Sequence, residues 1–270
     1  MTHQARKRFG QNFLHDYSII ANIINHLQAE KQQHWVEIGP GQGALTEPLL
    51  AAQVCLDVVE LDRDLVALLQ RKFAQAADLT IHSADALNFD FAGLQKNNEK
   101  LHIIGNLPYN ISTPLLFHLL SFSNLIADMH FMLQKEVVER ICAAPGSKKY
   151  GKLSVMMQYF CETEALFEVP PESFDPIPQV KSAIIRLIPH TTPPVMVKNV
   201  SVLKNITSAA FSQRRKTLRN SMKNLFTEAQ LIALEVEPTA RAETLTLAQF
   251  AQLSNAWTEI ADYPCDNLPQ

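Results

Sequence analysis

The chain has 270 residues, 47% of them apolar, with a net charge of −3. That is enough for one large domain, or a large and a small one, around a full hydrophobic core. Four scattered cysteines, nine histidines without metal-ligand spacing and no apolar run near the ~18 residues of a membrane span argue against a disulfide framework, a metal site or a membrane protein, and fit a reducing cytoplasm.

Apolar runs alternate with helical periodicity through the first two-thirds. "HWVEIG" (34–39) reads as a strand and "ALTEPLLAA" (44–52) as a helix. "CLDVVEL" (55–61) is the next strand and "RDLVALLQRKF" (63–73) the next helix. "LTIHSAD" (79–85) and "LHIIGN" (101–106) are strands; "STPLLFHLLSF" (112–122) is a helix with Pro114 in its first turn. "DMHFML" (128–133) is a strand and "KEVVERICA" (135–143) a helix. Repeated strand–helix units with short links predict a mostly parallel sheet covered on both faces. "ALFEVP" (165–170) and "SAIIRLIP" (182–189), with no clear helix between them, are expected as an antiparallel pair at the sheet edge. "PHTTPPV" (189–195) holds three prolines and sets the expected boundary between a domain over 1–190 and a helical one over 196–262. Helices are expected there at roughly 200–211, 214–226, 227–234 and 246–260.

"EIGPGQGALTE" (37–47) joins the first strand to its helix, with glycines at 39, 41 and 43. Gly39 and Gly41 allow a tight turn and close backbone approach of a ligand, and the helix start offers free N–H donors. Taken alone the motif is moderately specific, the other reading being a tight βα turn without a ligand. Two ligands suit it, a nicotinamide dinucleotide or S-adenosylmethionine. Glu60 ends the second strand, where an acid takes ribose hydroxyls in either case. The spacing is GxGxG, not the GxGxxG of the dinucleotide fingerprint. Asp85 ends the third strand, placed to accept from an adenine amine, which suits the methyl donor better.

"NLPY" (106–109) ends the fourth strand and faces the same crevice. The exocyclic amine of adenine is a poor nucleophile because its lone pair is delocalised into the ring. Two acceptors holding its N–H groups out of plane return that pair to nitrogen. The Asn106 side-chain oxygen can be one. The Leu107 carbonyl can be the other, because Pro108 fixes the local backbone and biases Leu107 toward an extended conformation. Tyr109 offers a ring face for the base, and such stacking is typically worth ~1–3 kcal/mol. As an isolated tetrapeptide the same residues would be an ordinary turn.

Residues 201–227 contain six Lys or Arg and no acid, whereas 228–262 contain six acids and one Arg. A local basic stripe on a mildly acidic protein is still an electrostatic footprint for nucleic acid. Arg214, Arg215, Lys216, Arg219 and Lys223 flank an apolar series at Phe211, Leu218, Met222 and Leu225. "ARKRFGQNFL" (5–14) interleaves Arg6, Lys7 and Arg8 with Phe9 and Phe13; no apolar signal core follows it.

These blocks, with "RKRFGQNFLHD" (6–16), "PPESFDPIPQVKSAIIRL" (170–187) and "FSQRRKTLRNSMKN" (211–224), run in order over nearly the whole chain. Together they resemble the ribosomal RNA adenine dimethyltransferase family, in its bacterial small-subunit type. The resemblance implies a Rossmann-like, seven-stranded α/β sheet of the class I S-adenosylmethionine-dependent methyltransferases, followed by a small all-helical domain that binds RNA. It implies S-adenosylmethionine as donor and two adjacent adenosines in a hairpin loop near the 3′ end of small-subunit (16S) rRNA as target, each dimethylated. The partner would be the pre-30S particle, and the enzyme a cytoplasmic monomer without metal. Asn12 and Leu14 would contact the methionine part of the donor and Gly39 would lie under it. Glu60 would hold the ribose, Asp85 the adenine, and Asn106 both donor and target. Phe174 would cover the target base opposite Tyr109. Gln179 departs from the lysine more frequent there, removing one phosphate contact. The rivals are a large-subunit rRNA adenine methyltransferase of the macrolide-resistance type, an RNA-binding assembly factor, and a nicotinamide-dependent oxidoreductase. The last lacks a hydride-relay His or Tyr-Lys pair.

Overall fold

The computed structural model describes residues 11–95, 99–213 and 215–260. Arg6, Lys7, Arg8 and Arg214 lie outside the described residues. The chain forms two compact units. One holds the described residues up to Val138 together with Thr163–Pro189; the other holds Glu139–Glu162 and the described residues from His190 onward. The proline-rich stretch lies at the last passage between them, and 139–162 makes the second unit discontinuous in sequence.

The first unit opens with β1 (Phe13–Leu14) and α1 (Tyr17–Leu27). Asp16 starts α1: its carboxylate accepts from the N–H groups of Ser18 (2.9 Å) and Ile19 (3.3 Å). Ile20, Ile23 and Leu27, one helical stripe, are buried. Then come β2 (His34–Ile38), α2 (Thr46–Ala51), β3 (Cys55–Glu60), α3 (Arg63–Lys72) and β4 (Leu79–Ser83). They are followed by β5 (Leu101–Asn106), α4 (Ser112–Leu120) and β6 (Ile126–Gln134). The chain leaves through α5 (Lys135–Ile141) and α6 (Lys152–Phe160). It returns through β7 (Cys161–Val169), β8 (Phe174–Asp175) and β9 (Ser182–Pro189).

Seven strands form one sheet in the order β4-β3-β2-β5-β6-β9-β7. From β4 to β6 every pairing is parallel; β9 runs antiparallel to β6 and lies between it and β7. All five residues of β2 are buried, as a central strand covered on both faces requires. The chain winds outward from β2 through β3 to β4, then resumes on the other side at β5. That reversal opens a crevice at the strand carboxyl ends between β2 and β5. A separate two-stranded ribbon pairs Leu14 of β1 with Phe174 of β8.

In the second unit α7 (Val200–Ala210) packs against α6 and against α10 (Leu247–Ile260). Between them lie α8 (Leu218–Ser221) and α9 (Glu228–Ala233). The helix expected over 214–226 is thus one turn. Leu218 and Arg219 donate their N–H groups to the carbonyls of Ala240 (2.8 Å) and Pro238 (3.0 Å), and the chain continues in turns. Of the apolar series expected there, Leu218 and Met222 are buried, whereas Phe211 and Leu225 are only partly covered; Phe226, next to Leu225, takes the buried place instead.

Candidate active site at the strand ends

A cavity of about 350 Å³ lies at the reversal point. It is lined by residues of the segment 11–14, of the β2 end and glycine loop, by Glu60 and Leu61, by Ala84–Ala86 and by Asn106–Ile111.

The glycine loop contributes Gly39, Pro40, Gly41 and Gln42 to the lining. Gly39, Gly41 and Gly43 have φ of +68°, +58° and +83°, the left-handed region that side chains disfavour. At Gly41 space is limiting too: an added Cβ would sit 3.1 Å from the Phe13 ring. Glu60, at the end of β3, is 7% exposed. Its carboxylate accepts from the N–H groups of Asp62 (2.8 Å) and Gly41 (3.3 Å), which ties it to the loop. Burial pushes its carboxyl above the usual range, against those two N–H groups that favour the charge. Asp85, just beyond β4, accepts from the Leu87 N–H (3.0 Å) and the Asn88 amide (3.1 Å).

Asn106 ends β5 and donates its amide to the Asn12 carbonyl at 3.0 Å. That bond fixes which end of the amide is nitrogen, and leaves its oxygen as the acceptor. The neighbouring Gly105 has no room for a side chain: a Cβ there would lie 2.6 Å from the Ile38 carbonyl on β2. Leu107 is buried and its N–H reaches the Met132 carbonyl on β6 (3.2 Å). Tyr109 lines the cavity, its hydroxyl 2.8 Å from Ser182 Oγ on β9.

The structure therefore brings Asn12, Leu14, Gly39, Gly41, Glu60, Asp85 and Asn106–Tyr109 around one cavity. Phe174 is not among its lining. It is 1% exposed, opposite Leu14 in the ribbon and within the core cluster. Arg215, Lys216, Arg219 and Lys223 lie in the second unit, all exposed, and Arg219 pairs with Glu228 at 3.4 Å. Sequence reasoning missed Glu37, which lines the cavity at 2% exposure. Its signal was an acid between apolar neighbours, Val36 and Ile38, in a fully buried central strand. Among the described residues no cluster of His, Cys, Asp or Glu could hold a metal ion, and no helix is long and apolar enough to cross a membrane.

This sheet order, with a cavity at its reversal point, is the fold of the S-adenosylmethionine-dependent methyltransferases. The structure is similar to a dimethyladenosine transferase from Plasmodium falciparum, with a TM-score of 0.75 and 26% identity over 89% of this chain and 95% of that one. It also shares its fold with the 23S rRNA methyltransferase ErmE, with a TM-score of 0.68 and 24% identity over 90% and 98% of the two chains. The family model for ribosomal RNA adenine dimethylase matches residues 2–259, and the chain belongs to that family. Among its relatives is the "Ribosomal RNA small subunit methyltransferase A" of Pseudomonas aeruginosa, 53% identical over 96% of each chain. The protein of the same name from Saccharophagus degradans is 55% identical over 94% of each.

Proposed function

We propose that the chain dimethylates adenosines of small-subunit rRNA, with S-adenosylmethionine held in the strand-end cavity. The observation that carries this reading is the placement of Asn106–Tyr109 on the same cavity as Glu60 and Asp85. Full-length identity to the two small-subunit enzymes supports the choice of RNA, since ErmE, below 25% identity, speaks for the fold alone.

The cavity suits such a donor. Its charged lining is Glu37, Glu60 and Asp85, with no Lys, Arg or His among the described lining residues, which matches a ligand of net positive charge. Glu60 offers acceptors for ribose hydroxyls and Asp85 for the adenine amine. Asn12, Leu14 and the glycine loop hold the remainder. When bound, the donor presents a methyl group on a sulfonium, a leaving group already activated, so neither a metal nor a strong base is needed.

The protein's part is to orient the acceptor. The Asn106 oxygen takes one N–H of the target amine and the Leu107 carbonyl the other, so that the lone pair points at the methyl group. The Tyr109 ring supports the base, which must leave its stack to enter. Arg215, Lys216, Lys223 and the basic residues beside them hold phosphates, which position RNA without reading its sequence. The substrate is the assembling small subunit, in the cytoplasm.

The test is radiolabelled methyl transfer to unmethylated small subunits, followed by nucleoside analysis. N6,N6-dimethyladenosine at two adjacent positions is expected. Label on large-subunit RNA instead would assign the chain to the rival specificity, and binding without label would make it an assembly factor.

A further inference from the structure

Glu37 has no part in the scheme above, yet it lines the cavity from β2 at 2% exposure. Its hydrogen-bond partner is the Thr46 hydroxyl of α2, which donates at 2.5 Å. Glu60 and Asp85 each accept at least one backbone N–H, whereas Glu37 is held by one neutral side chain. The groups acting on it electrostatically are Glu60 from β3 and Lys72 from α3, and Lys72 is itself paired with Glu47 at 2.9 Å. Its charge is therefore the least compensated in the cavity.

We propose that Glu37 lets the cavity distinguish the sulfonium donor from its thioether product by charge, and that this discrimination develops as the carboxyl ionises. The inference rests on the donor assignment above. Donor and product share the adenosine, ammonium and carboxylate. They differ by one methyl group and the positive charge on sulfur. In each transfer the carbon–sulfur bond breaks and its electron pair stays on sulfur. The amine forms the new carbon–nitrogen bond, takes up the positive charge and then releases a proton. The ligand in the cavity thus loses one positive charge. A buried carboxylate, poorly screened by water, favours the cation and ceases to hold the neutralised sulfur. Dimethylation needs the spent product to leave before the second methyl arrives, so this difference serves turnover.

A protonated carboxyl makes no such distinction. Burial outweighs the Thr46 hydroxyl and pushes Glu37 up to about 7; the like charge of Glu60 raises it and Lys72 opposes. The sign follows. Below that range Glu37 is neutral and contributes nothing to the difference between donor and product. Above it the carboxylate is preformed, and the donor gains affinity relative to the product.

Calorimetric titration of the full chain with S-adenosylmethionine and with S-adenosylhomocysteine at pH 6 and pH 8 tests this. The donor-to-product affinity ratio should rise roughly three- to tenfold with pH, as a difference of up to one pKa unit between the two complexes gives. Glu37→Gln, which keeps the size and the Thr46 bond, should flatten the rise; comparing the two chains cancels the ligands' own titration. Thr46→Val removes the one hydrogen bond and should move the rise to higher pH. A constant ratio in the unaltered chain, or a rise that survives Glu37→Gln, overturns the inference while leaving the donor assignment standing. Failure of both ligands to bind would overturn the donor assignment itself.

Discussion

Asn106 reaches back 94 residues to donate its side-chain amide to the main-chain carbonyl of Asn12. One bond thus joins the end of β5 to the segment that covers the glycine loop, and it turns the amide oxygen into the group left to accept.

From that geometry, Asn106→Ala should retain RNA binding and lose turnover by about 100-fold or more, the scale set by removing one orienting hydrogen bond at a reacting centre. Because the same bond steadies Asn12, donor affinity should weaken modestly as well. Single-turnover methyl transfer and donor titration separate the two effects. Near-normal single-turnover rates would exclude the orienting role.

Tyr109 separates a ring from a hydroxyl. Tyr109→Phe keeps the stacking face and loses the bond to Ser182, a residue with no exposure, at about 1 kcal/mol. Tyr109→Ala loses the ring too, at about 1–3 kcal/mol more. Phe should therefore be mild and Ala severe in transfer rate. Equal losses would contradict stacking.

The basic run of the second unit should read as phosphate contacts. Changing Arg214, Arg215 and Lys216 together to Ala should weaken RNA binding and leave donor affinity alone. Arg219 is left out because it is already paired with Glu228. Each lost contact should remove roughly 0.7–0.9 from the slope of log affinity against log salt. Affinities measured over a salt series decide it; parallel slopes for the two proteins would make the run a solvated surface.

Acid sensitivity should trace to the opposite end of the sheet. Asp128 on β6 faces His102 Nδ1 at 2.8 Å and His130 Nδ1 at 3.3 Å, the latter without hydrogen-bond alignment. Burial raises the Asp128 pKa, but the two histidines outweigh it and hold it at about 2, against 3.8 for a free side chain. A depressed carboxyl stabilises the fold above its unfolded value and loses that contribution as pH falls from about 4 to 2. Asp128→Asn should cost about 1–2 kcal/mol at neutral pH and flatten that part of the acid-unfolding profile. Denaturant titrations at pH 7 and pH 3 measure both. An equal stability difference at the two values would remove Asp128 as the source.

The strands and the polar site were legible because both have local signatures. "LHIIGN" is β5 residue for residue, and an acid or amide at a strand end faces the crevice wherever the strand is parallel. What escaped depended on distant partners. The 238–240 loop holds the N–H groups of Leu218 and Arg219, which sets the start of α8 at Leu218, and no periodicity reports that. Phe174 read as a ring for the target base, but pairing with Leu14 carries it into the core. The helix α1 also carries a local signature, Asp16 ahead of the apolar stripe Ile20, Ile23 and Leu27.

The chain crosses between its two compact units three times, at 138–139, 162–163 and 189–190. During synthesis α6 therefore emerges before α7, the helix it packs on, and waits while β8 and β9 are made. The sheet in turn is finished only after a piece of the other body has already left the ribosome. A fragment begun at His190 would lack α6, and one stopped at Pro189 would carry α6 with its apolar face uncovered. Separating the two bodies for study takes an excision and a splice, not a truncation.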